Sequence, residues 1–193
     1  MLNILVIYFV NTKSSDIIFS GEIMRTLYII TGPAGVGKST ISNMLANSLA
    51  KSSLIEGDDV YHMIVGGYVS PWLEGNHLKL FWQNCKSLIS NTLSAGYDVI
   101  FNYIVGKENL QDLAETFKDY NVKFVGLITD EKTLLQRDNN RPEDCRIGSR
   151  CLVLLKEFIE DGFDDKYILD TSNLSVSQCC NEILTNKRFL VGE

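Results

Sequence analysis

Along the chain, short unbroken apolar runs alternate with longer stretches in which apolar residues return every three or four positions. The short runs are Leu27-Tyr28-Ile29-Ile30-Thr31, Ser53-Leu54-Ile55, Tyr97 to Phe101, Val122 to Thr129 and Tyr167 to Asp170, and each reads as a strand. The first is β-branched and aromatic throughout and bounded by glycine, the mark of a buried parallel strand. Between the runs the spacing predicts helices. One follows Thr40 with Ile41, Met44, Leu45 and Leu49 on one face, and a second covers Val60 to Val65. A long third helix buries Leu78, Phe81, Trp82, Cys85, Leu88, Ile89 and Thr92, a stripe that belongs to core packing rather than to a cofactor. Further helices are expected over Leu110 to Tyr120, Glu131 to Asn140, Cys151 to Asp161 with Gly162 as the stop, and Val176 to Thr185.

Chemistry enters directly after the first strand. Gly32-Pro33-Ala34-Gly35-Val36-Gly37-Lys38-Ser39-Thr40 satisfies G-x-x-x-x-G-K-[ST], and strand, loop and helix follow in the order that a phosphate-binding loop needs. Gly32, Gly35 and Gly37 let the backbone N–H groups of Ala34 to Thr40 turn inward around a phosphate, and the helix that begins there adds its positive dipole end. Lys38 brings a point charge to the β- and γ-phosphates, and the Ser39 hydroxyl is placed to ligate Mg²⁺. The guanine-reading N-K-x-D signature is absent, since Asn186-Lys187 continues with Arg188-Phe189, so ATP is the expected nucleotide.

Composition narrows the partners. The 193 residues carry 45% hydrophobic and 22% charged side chains, enough for one well-packed domain. Twenty-four acidic residues against eighteen basic ones give a formal charge of −6, which argues against nucleic acid or an anionic membrane surface as partner and favours a small molecule. Five cysteines with no CxxC spacing point to reduced thiols and a cytoplasmic protein. Met1 to Val10 has the length of a signal h-region but lacks a basic n-region and a small-residue cleavage site, and it is too short to span a bilayer. Residues 1–23 are read as a non-native or disordered extension ahead of a domain at 24–193. The alternative is an extra strand or arm that packs on the domain or on a second subunit.

Two further groups of residues fit phosphoryl transfer. The second strand ends in Glu56-Gly57-Asp58-Asp59, and carboxylates at the C-terminal end of a parallel strand lie where α/β sheets bind ligands. Asp58 is the candidate to accept or orient the proton of an acceptor hydroxyl and to hold a Mg²⁺-bound water, while Asp58 or Asp59 could equally cap the helix that follows. Four of the six arginines, Arg137, Arg141, Arg146 and Arg150, fall within fourteen residues. On a closing lid, Arg137 and Arg141 would place charge on the transferring group. The competing reading is a solvated helix face on which they pair with Asp138, Glu143 and Asp144.

These residues resemble a family. GPAGVGKST, the strand-end EGDD, the R-x-x-x-R segment and Leu169-Asp170-Thr171-Ser172 look like small P-loop kinases of the gluconate kinase and shikimate kinase type. The segment Ile55 to Trp72 is most similar to a bacterial gluconate kinase-like group of AAA-type predicted kinases. The resemblance spans Arg25 to about Phe189 and implies an α/β fold, a P-loop NTPase three-layer sandwich. Its five-stranded parallel sheet would run in order 2-3-1-4-5, with flanking helices and an arginine lid. It also implies that Thr171 and Ser172 touch the adenine. Two departures stand out. Asn102 ends the third strand where relatives more often carry an Asp, and His62 and Met63 break the D-G-D-x-x-H-P pattern of gluconate kinases.

The acceptor side is expected in the loop between Val65 and His77, which is glycine- and aromatic-rich and too long for a simple connector. Tyr68 and Trp72 could stack on a sugar or ring, or Trp72 could plug the loop onto the core. His62 and Asn102 are further acceptor candidates, and His77 reads as a helix-start residue. The expected activity is an ATP- and Mg²⁺-dependent transfer of a phosphoryl group to a small hydroxyl acceptor, a sugar acid such as gluconate or a similar alcohol. The alternatives are an antibiotic-modifying phosphotransferase and a nucleotide-binding switch without an acceptor, for which Asn102 is the best support.

Overall fold

The computed structural model describes residues 24–192, together with the backbone of a two-residue antiparallel ladder between Ile18–Phe19 and Glu22–Ile23. The expectation for residues 1–23 falls, apart from that ladder, outside the described residues. Five strands form one parallel sheet: β1 (Thr26–Thr31), β2 (Ser52–Glu56), β3 (Asp98–Asn102), β4 (Asn121–Ile128) and β5 (Ile168–Asp170). Their order is β2-β3-β1-β4-β5, the 2-3-1-4-5 order that the resemblance implies. Among the described residues, seven helices connect and flank them: α1 (Lys38–Ser48), α2 (Gly57–His62), α3 (Asn76–Ser94), α4 (Lys107–Thr116), α5 (Glu131–Asn139), α6 (Arg150–Glu160) and α7 (Val176–Thr185). None of the described helices is long and apolar enough to cross a membrane.

The strands read as continuous apolar runs because both faces of the sheet are covered. Leu27, Ile29, Phe101 and Phe124 point to one side, against Phe81, Cys85, Ile89 and Leu93 of α3 and Leu113 of α4. Tyr28, Ile30, Ile100 and Val125 point to the other, against Ile41 and Leu45 of α1, Leu134 of α5 and Ile183 of α7. Cys85, Cys151, Cys179 and Cys180 are free thiols buried in these two layers. The long-helix stripe is core on its Phe81, Cys85 and Ile89 edge, while Leu88 is 40% exposed on its flank.

Two predicted helices start earlier than their apolar residues suggest. The helix expected at Val60 begins at Gly57, and the one expected at Leu110 begins at Lys107. The first turn of a helix needs dipole-compatible residues rather than apolar ones, and Asp58, Asp59 and Glu108 supply them. The residue before α2 is Glu56, which makes no side-chain cap, so neither Asp58 nor Asp59 occupies the capping position.

Strand register sets the positions of the chemistry. Ile30 is opposite Asn102 in the β1–β3 pair, and Glu56 is opposite the same Asn102 in the β2–β3 pair. The C-terminal ends of β1, β3 and the outer strand β2 therefore deliver Thr31 with the loop after it, Asn102 and Glu56 to one end of the sheet. Ligands of open α/β sheets bind at that end.

Candidate active site

The loop after β1 wraps tightly because its glycines take backbone angles closed to other residues. Gly32, Gly35 and Gly37 have φ of 134°, 90° and 102°. At Gly32 an added Cβ would lie 2.4 Å from the Leu127 carbonyl oxygen of β4, so the loop passes directly over the neighbouring strand. α1 starts at Lys38, at the end of this loop. The Lys38 ammonium donates to the carbonyls of Gly32 (2.9 Å) and Pro33 (3.0 Å), closing the loop on itself. Burial lowers the Lys38 pKa from 10.5 to about 8; the Asp58 charge works against that and the Arg141 charge adds to it.

A cavity of about 530 Å³ opens above the loop. Ala34, Gly35, Val36, Gly37, Lys38, Ser39 and Thr40 line its floor, and Asp58, Asn102, Arg137, Arg141 and Thr171 line its sides. Of the predicted residues, these meet in one place. Gly32 is not in the lining but presents its carbonyl to Lys38. Ser172 lies outside it: its hydroxyl accepts from the Asp130 amide at 2.8 Å and donates to Asp170 Oδ1 at 2.5 Å, which shapes the loop after β5. His62, Tyr68 and Trp72 also stand outside the lining. The His62 and Tyr68 rings stack with an interplanar angle of 7° and centroids 5.8 Å apart, and Trp72 is 78% exposed.

Asn102 joins the loop to the second strand. Its Nδ2 donates to Ser39 Oγ at 3.1 Å and to Glu56 Oε2 at 2.5 Å, while its Oδ1, buried, has no hydrogen-bond partner among the described residues. Glu56 is a site residue that the sequence reading passed over. Burial raises its pKa, the Asn102 hydrogen bond opposes this, and the Asp59 and Asp58 charges add to the rise. Its signal in the sequence was the strand-end EGDD, but only the Glu56–Asn102 register shows that its carboxylate reaches Ser39's neighbour.

Arg137 is held rather than loose. Its guanidinium donates to the Val36 carbonyl (2.8 Å), Thr171 Oγ1 (3.0 Å) and the Thr171 carbonyl (3.2 Å), tying the phosphate loop to the loop after β5. Thr171 Oγ1 in turn donates to the Ile128 carbonyl. Arg141 is the freer of the two: its NH1 lies 3.5 Å from Asp138, whose carboxylate also accepts from the amides of Ile147 and Gly148. Asp138, 1% exposed, thereby fixes the segment that carries Arg141 to α5. Arg146 donates from Nε to the Arg141 carbonyl and shapes that segment. Tyr103 and Ile104 also line the cavity, beside Asn102, and Leu174, Val176 and Cys179 form an apolar wall beside Thr171.

A family model for the AAA domain matches residues 27–150. No curated protein sequence matches the chain. Among solved structures, the tunicamycin resistance protein of Deinococcus radiodurans is 17% identical, with TM-score 0.60 over 82% of this chain and 93% of that one. A gluconokinase from Sinorhizobium meliloti 1021 is 18% identical, with TM-score 0.59 over 83% and 90%. Thymidylate kinase from Candida albicans is 15% identical, with TM-score 0.57 over 88% and 96%. At these identities the likeness is one of fold, a P-loop kinase-like fold.

Proposed function

The chain belongs to the AAA domain family, and on that premise we propose that it is an ATP-dependent phosphotransferase that moves the γ-phosphoryl group to a hydroxyl of a small molecule. One observation carries the reading: the phosphate loop, the Asp58 carboxylate and the Arg141 guanidinium line the same cavity, which is also lined by Tyr103 and Ile104. In this reading Lys38 and the loop amides hold the phosphates, and Arg141 places charge on the transferring group. Asp58 orients the acceptor hydroxyl and takes its proton. Arg137, engaged with both Val36 and Thr171, positions the phosphate loop against the adenine side. The apolar wall of Leu174, Val176 and Cys179 suits the face of an adenine.

The polar groups also fit Mg²⁺, a hard cation that takes oxygen ligands. The Ser39 hydroxyl, Asp58 and Glu56 offer them around the buried Asn102, and no described group of three or more His, Cys, Asp or Glu could hold a metal by itself. A metal held by one or two carboxylates and shared with the nucleotide's phosphates matches that donor set. When bound, it would offset the negative charge of the phosphates during transfer. The Glu56 carboxylate beside Asn102 supplies the negative charge that Asn102 itself lacks, and this favours an enzyme over a nucleotide switch.

The neighbours' names range over a gluconokinase, a thymidylate kinase and a tunicamycin resistance protein, so the acceptor has to be argued from this chain's own side chains. The test is ADP release with a panel of hydroxyl compounds. At least one acceptor should raise turnover above background, and Asp58→Asn should lower that turnover by about a hundredfold or more while ATP still binds. Unchanged turnover in Asp58→Asn removes Asp58 from the chemistry.

A further inference from the structure

Asn102, which departs from the kinase pattern in the sequence, has a definite orientation in the fold. It ends β3 between β1 and β2, is 5% exposed, and stands opposite Glu56 in the β2–β3 pair. An amide nitrogen carries two protons, and both are used. One goes to Ser39 Oγ at 3.1 Å and the other to Glu56 Oε2 at 2.5 Å. Turned over, the amide would set its oxygen against the Glu56 carboxylate, and neither atom could donate. Glu56 thus decides which end of Asn102 faces the phosphate loop.

That choice passes to Ser39. A hydroxyl has one proton to give and two lone pairs to accept with. With Asn102 donating to one lone pair, the Ser39 proton is directed away from Asn102, and the other lone pair is left for a cation. An Asp in the place of Asn102 would do the reverse and take the proton of the hydroxyl. It would also set a second carboxylate against Glu56 with no proton between them. Ser39 and Asn102 line the cavity whereas Glu56 stands outside the lining, so the link from Glu56 to the phosphate loop runs through Asn102.

Resting on the phosphotransferase reading, we propose that Glu56 and Asn102 act as one unit, in which the amide on β3 relays the carboxylate on β2 to Ser39. Asn102 is then a positioning residue for the Ser39 hydroxyl and not a metal-binding Asp that has been lost. The two groups could trade places across the strand pair, with the amide on β2 and the carboxylate on β3, and keep the same charge beside Ser39. A carboxylate at both positions repels, and an amide at both removes that charge.

The experiment uses the full chain with ADP, titrates Mg²⁺ and follows binding by calorimetry, so it needs no acceptor. Glu56→Gln keeps the side-chain size and removes the charge. The Mg²⁺ concentration that half-saturates the gain in ADP affinity should rise about tenfold, while ADP affinity without Mg²⁺ stays within about twofold. Asn102→Asp alone should raise that Mg²⁺ concentration by about as much and lower the melting temperature. Glu56→Gln combined with Asn102→Asp should bring the Mg²⁺ concentration back to within about threefold of the starting protein and recover the melting temperature. Stronger Mg²⁺ dependence in Asn102→Asp alone would mean a missing Asp and overturns the proposal. An unchanged Mg²⁺ dependence in Glu56→Gln overturns it too, as does a double variant no better than the worse single one, or ADP binding in the unaltered chain that ignores Mg²⁺. If Asn102→Asp does not fold, Glu56→Gln still decides. Turnover is read separately: if no hydroxyl compound raises ADP release in the unaltered chain, the phosphotransferase reading falls, while the Mg²⁺ titration still decides the pair.

Discussion

The phosphate-loop side of the cavity is tied to distant parts of the chain, whereas the long loop between α2 and α3, which stands outside the cavity lining, is held largely by its own neighbours. Gly32 lies under the β4 carbonyl of Leu127, Val36 is held by Arg137 from α5, and Ser39 is held by Asn102 at the end of β3. Arg137 then continues to Thr171, beyond β5. In the loop between α2 and α3 the bonds are short-range: Tyr61 Oη to the Val69 carbonyl, the Leu73 amide to Ser70 and the Leu78 amide to Gly75. Met63, Val65 and Trp72 are each more than half exposed. The difference teaches where each kind of change should register. A cradle fixed from several strands cannot be altered without a cost in folding or in chemistry, while a loop held by its own local bonds can change what it binds and leave the fold alone.

The strongest way to break this contrast is at Lys38. Lys38→Ala should lower ATP-dependent turnover by about 10² to 10³, the loss expected for one aligned charge, and ADP release measures it. Its thermal stability should not fall, because Lys38 is a buried cation whose removal relieves a burial penalty. Next is backbone strain. Gly32→Ala, at φ 134° and 2.4 Å from the Leu127 carbonyl, should cost about 2 to 3 kcal/mol in denaturant unfolding. Trp72→Ala should stay within about 0.5 kcal/mol in the same measurement. Equal costs at the two positions would erase the distinction between the two regions.

Arg137→Lys keeps the charge but loses the fork that reaches Val36 and Thr171 together. Loss of a hydrogen bond to a charged donor costs about 1.5 kcal/mol or more, so kcat/KM for ATP should fall about tenfold with KM carrying most of the change. If Arg137→Lys instead lowers kcat alone, Arg137 acts on the transferring group itself.

The smallest effect is a pH dependence at the edge of the sheet. Lys123 of β4 is buried and donates to the carbonyls of Ile183, Leu184 and Asn186, closing the end of α7. Burial lowers its pKa from 10.5 to about 8. Between those values the unfolded chain binds more protons than the folded one, so this group's contribution to stability rises with pH across that window. The thiols of Cys85 and Cys180, pushed up to about 12 and about 11 by burial, act in the opposite direction above their ordinary 9. The melting temperature of the protein minus that of Lys123→Met, followed from pH 8 to pH 10, isolates the lysine and should increase. A flat difference would mean that Lys123 stays charged in the fold.

Much of the phosphate-loop side was legible in the sequence because it is built from neighbours along the chain. Gly32 to Thr40 is one continuous motif, and its strand–loop–helix context is local. Asp58 was legible as a strand-end carboxylate, and the five strands appeared as apolar runs because the sheet is covered on both faces. Glu56 was not, since its role depends on standing opposite Asn102, forty-six residues away in the chain. The same holds for Asp138, an ordinary helix-face acid by spacing, which in the fold accepts from Ile147 and Gly148. The arginine cluster was visible as a cluster, but nothing in its spacing separates Arg137, bound to the phosphate loop, from Arg141, which pairs with Asp138.

By itself, then, the sequence determined which residues could do chemistry: a phosphate loop with its lysine and serine, an acidic strand end, a long glycine- and aromatic-rich loop, and strands apolar enough to be buried twice. These follow from residue types at short spacing, where covalent geometry limits the outcome. The tertiary structure decided which of them meet. The β2-β3-β1 order brings Glu56, Asn102 and Ser39 into one hydrogen-bonded line, and the docking of α5, whose Leu134 joins the core layer on that face of the sheet, turns Arg137 into a tie between two loops. Such contacts are set by strand register and helix docking, which depend on the summed burial of the whole core rather than on any local pattern.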